Sequence, residues 1–287
     1  MRALIVMLLM AAMAPAMMRQ AEAAGAELPL RKSAGCGAAA EPPIEAIRVD
    51  GHIRELILAL PEGGERNTPR PLVMAFHGRT NSNAQVRAYY GLRRTLERTA
   101  VVAYPSALRQ ADGTFSWTVP RDGLSGPPDL ALFDALLTEI GGRYCVDLGR
   151  VFLVGHSLGA SFANTLACAR AERVRAVASV GGGIWTRGCT DPVAALVVHN
   201  PKDRLVAVEL GREVRDVFLL ANGLEGTAPQ PAAGSQLHCR RYGDATEPNP
   251  VVWCPHRQDY KADGRYYPHN WPESTELEIA RFFGSLP

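Results

Sequence analysis

The feature that most constrains this chain is the pentapeptide Gly-His-Ser-Leu-Gly at residues 155–159. It directly follows an apolar strand pattern at Val151–Val154 and directly precedes a helical pattern. In a turn this tight, glycines at both ends keep Cβ atoms out of the way and raise the central Ser157 on a strained turn. The alternative interpretation is a serine that caps an ordinary helix after a strand. We predict that Ser157 is a nucleophile and that the N-terminus of the next helix faces a developing oxyanion.

Apolar, β-rich runs recur along the chain, with helical patterns between them. The strand patterns lie at Leu72–Phe76, Ala100–Tyr104, Val151–Val154, Val174–Val180 and Ala194–His199. The helical patterns lie at Asp129–Ile140, Ser157–Arg170, Leu205–Ala221 and Glu273–Phe283. Strands that alternate with helices at this spacing predict an α/β fold, with a mostly parallel, doubly wound sheet and helices on both faces. The run Ile47–Leu60 predicts antiparallel edge strands that turn at Asp50-Gly51.

The composition excludes several classes of protein. The chain has 287 residues, of which 47% are hydrophobic and 21% charged, and its formal net charge is +2. These values exclude a disordered protein, a collagen and a small disulfide scaffold, and they predict no nucleic-acid partner. No apolar run after residue 18 is long enough to span a membrane, so we expect no membrane insertion there.

Residues 1–23 are predicted to be a signal peptide. An uncharged apolar run at Ala3–Met13 is followed by the small-x-small sequence Ala21-Glu22-Ala23, which fits cleavage after Ala23. The alternative is an uncleaved N-terminal anchor, which is disfavoured because Pro15 and Arg19 interrupt the run early. We therefore predict a protein secreted to the periplasm or the medium, with a loose N-terminal arm at 24–43 and one catalytic domain at 44–287.

Six cysteines follow the predicted cleavage site, at positions 36, 145, 168, 189, 239 and 254. An even number in an exported chain favours three disulfides, and no cysteine spacing typical of zinc is present, so we expect no metal site. Cys145 precedes the nucleophile strand and Cys168 ends the helix after it, so the two should lie at one edge of the sheet and pair. Cys239 and Cys254 bracket a late loop and form the second predicted pair. Cys36 with Cys189 is the third.

A serine nucleophile needs a base, and the base needs a carboxylate that orients it. The histidines that follow Ser157 lie at positions 199, 238, 256 and 269. His269 is the predicted base, because it lies in a rigid aromatic loop just before the final helix. His256 is the alternative base, whereas His199, at the end of a strand, is expected to be structural.

Asp203 is the predicted carboxylate. It follows the strand pattern Ala194–His199, and active-site groups of open parallel sheets collect at the carboxyl ends of the strands. Asp191 precedes that strand and Asp216 lies within a helix, so both are weaker candidates. The alternative role for Asp203 is to cap the next helix.

The oxyanion hole is predicted to use the backbone N–H groups of Leu158 and Arg79. Arg79 lies in the loop after the first buried strand, where Gly78 lets the backbone turn towards the substrate. The candidates for substrate contacts share an aromatic ring suited to an acyl or sugar pocket, and they are His77, Trp117, Trp185 and Trp271. For each of these the alternative is packing in the core or in a loop.

Four segments carry a resemblance to a known family. Phe76–Gly78, the pentapeptide, the loop His199–Asp203 and the segment His269–Pro272 occur in that order. With them, residues 33–287 resemble the secreted α/β-hydrolase esterases that comprise feruloyl esterases, acetylxylan esterases and poly(3-hydroxybutyrate) depolymerases. Segments 33–37, 145–147 and 250–254 resemble the feruloyl esterase branch in particular.

The chain also departs from the family pattern. Ala160 follows the pentapeptide where a second glycine is usual, and Asn200-Pro201-Lys202 stands where the family usually has Gly-Thr-x before the aspartate. Tyr267-Pro268 precedes His269, where many members have two glycines. The first two departures leave the catalytic residues intact, whereas the third weakens any transfer of substrate preference.

The resemblance implies an α/β-hydrolase fold and a secreted serine esterase, active as a monomer without a cofactor. The implied substrates are feruloyl or acetyl esters of plant polysaccharide, cleaved through an acyl-enzyme. A poly(3-hydroxybutyrate) depolymerase or a short-chain lipase or esterase is the alternative on the same residues. A non-catalytic carbohydrate-binding protein on a hydrolase fold is the alternative of another class, and the presence of Ser157, Asp203 and His269 argues against it.

Overall fold

The computed structural model describes residues 30–39, 41–63, 66–118 and 128–287. The predicted signal peptide, residues 1–23, lies outside the described residues. The strands are β1 (Ala46–Val49), β2 (His52–Ala59), β3 (Arg70–Phe76), β4 (Val101–Pro105), β5 (Leu108–Arg109), β6 (Phe115–Ser116), β7 (Val146–His156), β8 (Ala176–Val180), β9 (Ala194–His199), β10 (Gln230–Pro231), β11 (Arg240–Tyr242) and β12 (Val251–Pro255). The helices are α1 (Asn83–Tyr89), α2 (Pro128–Arg143), α3 (Leu158–Ala169), α4 (Val208–Ala221) and α5 (Thr275–Gly284).

Within the described residues, ten strands form one sheet in the order β1-β2-β4-β3-β7-β8-β9-β12-β11-β10. The six neighbours from β4 to β12 run parallel, and antiparallel strands flank them on both sides. β1 and β2 pair through the predicted turn, where Asp50 and Gly51 have φ angles of 47° and 80°. Two positive φ angles in a two-residue loop match the right-handed twist of the flanking strands. The predicted mostly parallel sheet is confirmed.

One central strand is absent from the sequence prediction. The strand patterns of the sequence do not include Val251–Pro255, but it forms β12, which pairs in parallel with β9. Its first four residues are buried, as in the other parallel strands. Because β12 is the last parallel strand, the chain leaves its carboxyl end to form the loop at 256–274, which carries His269 to the active-site edge of the sheet.

Side chains of the central strands alternate between two apolar layers. Leu72, Met74 and Phe76 of β3 pack in the layer that α2, α3 and α4 cover, whereas Val73 and Ala75 pack in the layer that α1 and α5 cover. Burial on both faces explains why these strands appear in the sequence as continuous apolar runs rather than alternating ones. None of the helices in the described ranges is both long and apolar enough to cross a membrane.

The N-terminal arm is not loose where the structure describes it, so that prediction is wrong. Lys32 forms a β-bridge with Asp147, and the N–H of Ser33 donates to the carbonyl of Val146 at 3.0 Å. The arm therefore runs beside the start of β7, the strand that leads to the pentapeptide. Its contacts also decide where the first disulfide forms.

Two of the three predicted disulfide pairs are wrong. The structure joins Cys36 to Cys145 and Cys168 to Cys189, instead of Cys145 to Cys168 and Cys36 to Cys189. Cys36 reaches Cys145 because the arm follows β7. Cys168 meets Cys189 because the loop after β8 passes the end of α3, where the N–H of Thr190 donates to the carbonyl of Cys168 at 3.2 Å. The third pair is Cys239 with Cys254, as predicted.

Candidate active site

The turn between β7 and α3 holds Ser157 in a conformation that side chains rarely adopt. Its φ and ψ angles are 58° and −125°, outside the regions favoured by residues other than glycine. A Cβ atom at Gly155 would overlap the carbonyl of Gly159, and one at Gly159 would overlap the carbonyls of Phe76 and His77. The two glycines are therefore required by the close approach of backbone on both sides of the turn. Strain of this kind is characteristic of functional sites.

Ser157, His269 and Asp203 form one series of hydrogen bonds. The hydroxyl of Ser157 lies 2.8 Å from Nε2 of His269, and Nδ1 of His269 lies 2.6 Å from Oδ2 of Asp203. The N–H groups of Leu205 and Val206 donate to Oδ1 of Asp203 at 2.9 and 3.0 Å. Both Asp203 and His269 are buried. The structure thus brings together the three residues predicted as nucleophile, base and carboxylate.

The electrostatics of Asp203 set the tautomer of His269. Burial by itself raises the pKa of Asp203, but the hydrogen bonds from His269, Val206 and Leu205 outweigh it and leave the pKa lowered. An ionised carboxylate only accepts hydrogen bonds, so Nδ1 of His269 carries the proton that lies between the two residues. Nε2 is then free to accept the proton of the Ser157 hydroxyl.

In the described parts of the chain, none of the alternative residues forms a hydrogen bond with the Ser157 hydroxyl, although Nε2 of His199 lies 3.8 Å from Oδ2 of Asp203. His256 is buried, burial lowers its pKa to about 4, and its Nδ1 accepts the N–H of Gln258 at 3.3 Å. His199 is structural, as expected, because its Nε2 donates to the carbonyl of Val206 at 2.9 Å. Asp191 and Asp216 are both exposed.

The loop after β3 lies directly against Ser157. A Cβ atom at Gly78 would stand 3.3 Å from the Cβ atom of Ser157, so a side chain there would crowd the nucleophile. The N–H groups of Arg79 and Leu158 donate to no other residue in the described parts of the chain. Both belong to segments that border Ser157, which supports their predicted role as oxyanion donors.

His77 supports this loop from behind. The N–H of Ala107 donates to its Nε2 at 3.0 Å, so Nδ1 carries the proton and donates to the carbonyl of Gly78 at 2.8 Å. Burial lowers the pKa of His77 to about 4, which keeps the ring neutral at neutral pH. Nε1 of Trp117 donates to the carbonyl of His77 at 2.8 Å. Both side chains therefore fix the backbone of the loop.

Three of the four candidate substrate contacts are contradicted by the structure. His77 is fully buried, and Trp117 is buried with its ring stacked on that of Phe162, so neither is open to a substrate. Trp185 lines a different cavity, next to the disulfide between Cys168 and Cys189. Trp271 does line the cavity beside His269, with its ring stacked on that of Tyr90 at 4.0 Å.

The cavity beside His269 has a volume of about 540 Å³, within the range typical of small-molecule sites. Its walls combine aromatic and polar side chains. They are Thr80, Asn81, Tyr89, His156, Gln258, Tyr260, Lys261, Ala262, Asp263, Tyr267, His269, Asn270, Trp271 and Glu273. Most of these residues come from the loop after β12, of which the sequence had pointed only to His269 and Trp271.

His156 is the wall residue whose role the sequence analysis missed, although it lies inside the pentapeptide. Its ring stacks on that of His269 at 4.9 Å, and its Nδ1 lies 3.3 Å from the hydroxyl of Tyr89. Burial, assisted by the neighbouring His269, lowers the pKa of His156 to about 3. The ring beside the predicted base is therefore neutral at neutral pH and does not oppose a positive charge on His269.

Comparison with known proteins gives relatives over most of the chain. Feruloyl esterase D of Neurospora crassa is 29% identical over 234 residues, which cover 76% of this chain and 77% of the relative. A protein named "Probable feruloyl esterase C" from Aspergillus terreus is 30% identical over 214 residues, which cover 71% of this chain and 74% of the relative. No protein-family model matches the chain.

Solved structures share the fold. The acetyl xylan esterase from Aspergillus awamori superposes with a TM-score of 0.60 at 16% identity, and the match covers 81% of this chain and 94% of that one. A thermostable esterase superposes with a TM-score of 0.57 at 18% identity, and the match covers 83% of this chain and 61% of that one. With the sheet order described above, these likenesses confirm the predicted α/β-hydrolase fold.

Proposed function

Because this chain belongs to the α/β-hydrolase esterase family that includes the feruloyl esterases, and is a carboxylic ester hydrolase, we propose that it cleaves feruloyl or acetyl esters of plant polysaccharide. The observation that carries this proposal is the hydrogen-bonded series Ser157–His269–Asp203 beside an aromatic-walled cavity. The relatives are named for feruloyl esters, and the chemistry of this site is that of acyl transfer.

The reaction begins at the Ser157 hydroxyl. Nε2 of His269 takes its proton while Oγ attacks the ester carbonyl, and Asp203 stabilises the resulting imidazolium. The N–H groups of Arg79 and Leu158 donate to the oxyanion. His269 then gives its proton to the leaving alcohol as the carbon–oxygen bond breaks, which leaves the acyl group on Ser157. Water, activated by His269, releases the acid and restores the serine.

The cavity favours an aromatic acyl group over acetyl. A volume of about 540 Å³ is far more than an acetyl group fills. Aromatic side chains also form part of the walls, including Tyr89, Tyr267 and Trp271, and aromatic rings pack favourably edge to face or offset. The polar side chains of the walls, such as Asn81 and Gln258, can pair with the hydroxyl and methoxy oxygens that a feruloyl ring carries and an acetyl group lacks.

A substrate panel on the purified protein tests the proposal. We expect methyl ferulate to be cleaved with a higher kcat/KM than methyl acetate, which has the same leaving group, and than hydroxybutyrate oligomers or a long-chain ester. The control is Ser157→Ala, which should abolish both hydrolysis and labelling by a fluorophosphonate. Cleavage of the polymer or the long-chain ester with methyl ferulate left intact would contradict feruloyl specificity. Absence of labelling in the wild-type protein would contradict the serine mechanism.

We also propose that the protein is secreted as a monomer after removal of residues 1–23. The three disulfides support an oxidising compartment. N-terminal sequencing of the protein from the medium or the periplasm should begin at Ala24, and size-exclusion chromatography with light scattering should give the mass of one chain. A retained N-terminal segment would contradict the cleavage, and the mass of a dimer would contradict the monomeric state.

A further inference from the structure

Exposed aromatic side chains gather at the mouth of the cavity beside His269. In the described ranges, three aromatic side chains are more than a third exposed: Tyr89 at 37%, Tyr260 at 62% and Tyr266 at 50%. Tyr89 and Tyr260 line the cavity, and the ring of Tyr266 lies 5.4 Å from that of Tyr260, edge to face. Clustered apolar surface of this kind marks a surface that a ligand or partner covers.

Residues 259–267 form a short hairpin, which we call the tyrosine hairpin. Tyr260 pairs with Tyr266 across it, and at its open end the N–H of Tyr267 donates to the carbonyl of Asp259 at 2.8 Å. Gly264, near its tip, has a φ angle of 79°, which the turn requires. The backbone thus presents both exposed rings on one small, hydrogen-bonded element.

The open end of the tyrosine hairpin is hydrogen-bonded to the loops that carry Asp203 and His269. The carboxylate of Asp259 accepts hydrogen bonds from Nδ2 of Asn200 at 3.0 Å and from Nζ of Lys202 at 2.5 Å. Nδ2 of Asn270 donates to the carbonyl of Gln258 at 2.9 Å. These contacts fix where the exposed rings lie relative to the reacting atoms, as a subsite requires.

We propose that the tyrosine hairpin binds sugar rings of the polysaccharide that carries the ester, an inference that rests on the proposed function. A sugar ring has an apolar C–H face and a rim of hydroxyl groups. A tyrosine side chain offers the matching surface, an apolar ring with a polar tip. Lys261 and Asp263, which line the same cavity mouth, supply a donor and an acceptor for hydroxyl groups. The acyl group lies deeper, beside His269 and Trp271.

The direct test measures binding of an ester-free arabinoxylan oligosaccharide to the full chain carrying Ser157→Ala, by NMR titration. Adding Tyr260→Ala and Tyr266→Ala should weaken binding about tenfold, since each ring contact contributes roughly a factor of two to ten. Tyr260→Phe with Tyr266→Phe keeps the rings and should bind like the parent. Leu220→Ala, which removes an exposed apolar side chain from α4, is the matched control and should also bind like the parent. No binding by the parent, or equal binding by the double alanine variant, overturns the inference.

A kinetic comparison separates the sugar from the acyl group. In the chain with Ser157 intact, Tyr266→Ala, which removes a ring that does not line the cavity, should lose roughly two- to tenfold in kcat/KM for a feruloylated arabinoxylan oligosaccharide and change less than about twofold for methyl ferulate. Equal losses on both substrates overturn the inference, because the hairpin would then contact the acyl group or position His269 instead of binding sugar. If the wild-type protein cleaves neither methyl ferulate nor an acetylated xylan oligosaccharide, the proposed function is contradicted, and the binding titration still decides the inference.

Discussion

The residues Ser157, His269 and Asp203 lie next to the tyrosine hairpin but are held in a different way. Backbone approaches the serine so closely that Gly155 and Gly159 admit no Cβ atom, and both partners of the serine are buried. The tyrosine hairpin, in contrast, presents rings that are 62% and 50% exposed. The first region is held by close backbone contacts and buried hydrogen-bond partners, whereas the exposed rings of the second are positioned by the hydrogen bonds of Asp259 and of the hairpin itself.

This difference suggests that the first region performs catalysis and the second determines which substrates are preferred. Acyl transfer requires reacting atoms positioned within a fraction of an ångström, so the region that performs it tolerates little change. A short exposed hairpin can change its side chains at small cost in stability, because surface substitutions usually have small effects. Substitutions in the first region should therefore lower activity on every ester, whereas those in the second should alter the choice among esters.

The largest effect is expected for Asp203→Asn. The amide would stabilise the wrong tautomer of His269 and would not stabilise the imidazolium, so kcat should fall about 10³- to 10⁴-fold on every ester. Stopped-flow and steady-state assays with methyl ferulate measure the loss, and circular dichroism checks the fold. Asp216→Asn, at an exposed position on α4, is the control and should keep full activity. If Asp203→Asn lowered kcat only slightly, and by different factors on different esters, the proposed difference between the two regions would be contradicted.

A smaller but still large loss is expected for Gly159→Ala. The added Cβ atom would overlap the carbonyls of Phe76 and His77, so the turn that holds Ser157 must shift. A displacement near 1 Å should lower kcat about 10²-fold, and overpacking should cost about 1–3 kcal/mol in the free energy of unfolding.

Gly142→Ala is the matched control for that substitution. Gly142 is exposed in α2, and a Cβ atom there meets nothing within 4 Å. Alanine should stabilise the helix by about 0.5–1 kcal/mol without affecting activity. Urea unfolding and methyl ferulate kinetics on both variants provide the measurement. Equal kcat values and equal free energies of unfolding for the two variants would show that the tight turn at Ser157 is not required.

The same contrast explains what the sequence predicted. Ser157, Asp203 and His269 follow local signals, since the first two stand where a strand pattern ends and the third precedes the final helix. The positions of Ser157 and Asp203 follow from the rule that active-site groups gather at the carboxyl ends of parallel strands, and that of His269 from the aromatic loop before the final helix. The prediction needed no knowledge of how side chains pack.

Predicting the cysteine pairs and the pocket walls, in contrast, requires knowing how distant segments pack together. The partner of Cys36 depends on the arm running beside β7, and no local pattern encodes that contact. Trp117 and Trp271 have the same side chain, yet one is buried against Phe162 and the other lines the cavity. Tertiary packing alone separates them. Val251–Pro255 was missed as a strand for a different reason, because Pro250 and Pro255 stand at the ends of its short apolar run and proline is a turn signal.

Lowering the pH should lower the free energy of unfolding, because several buried histidines are neutral in the folded chain. Burial lowers the pKa of His156 to about 3 and those of His77 and His256 to about 4. The unfolded chain therefore binds more protons than the folded one between about pH 6.5 and pH 4, so the free energy of unfolding falls as the pH drops through that range. Each such histidine contributes a slope of about 1.4 kcal/mol per pH unit.

The variant His256→Asn tests this account away from Ser157. Urea unfolding at several pH values should give a slope smaller than that of the wild type by about 1.4 kcal/mol per pH unit. Methyl ferulate activity at neutral pH should be retained, because His256 does not contact the serine, the base or the carboxylate. An unchanged slope would contradict the assignment of acid sensitivity to buried neutral histidines.

The smallest effect is expected for Arg79→Ala, because Arg79 combines an exposed side chain with a backbone next to the serine. Its side chain is 65% exposed and pairs at 3.5 Å with Asp112, which is 56% exposed, whereas its backbone lies in the loop against Ser157. Arg79→Ala keeps the N–H and removes only a surface ion pair, so kcat/KM for methyl ferulate should change by less than about twofold. Arg79→Pro removes the N–H itself and should lower kcat about 10²- to 10³-fold. If the alanine variant loses as much as the proline variant, the guanidinium rather than the backbone contacts the substrate, and Arg79 belongs with the exposed rim.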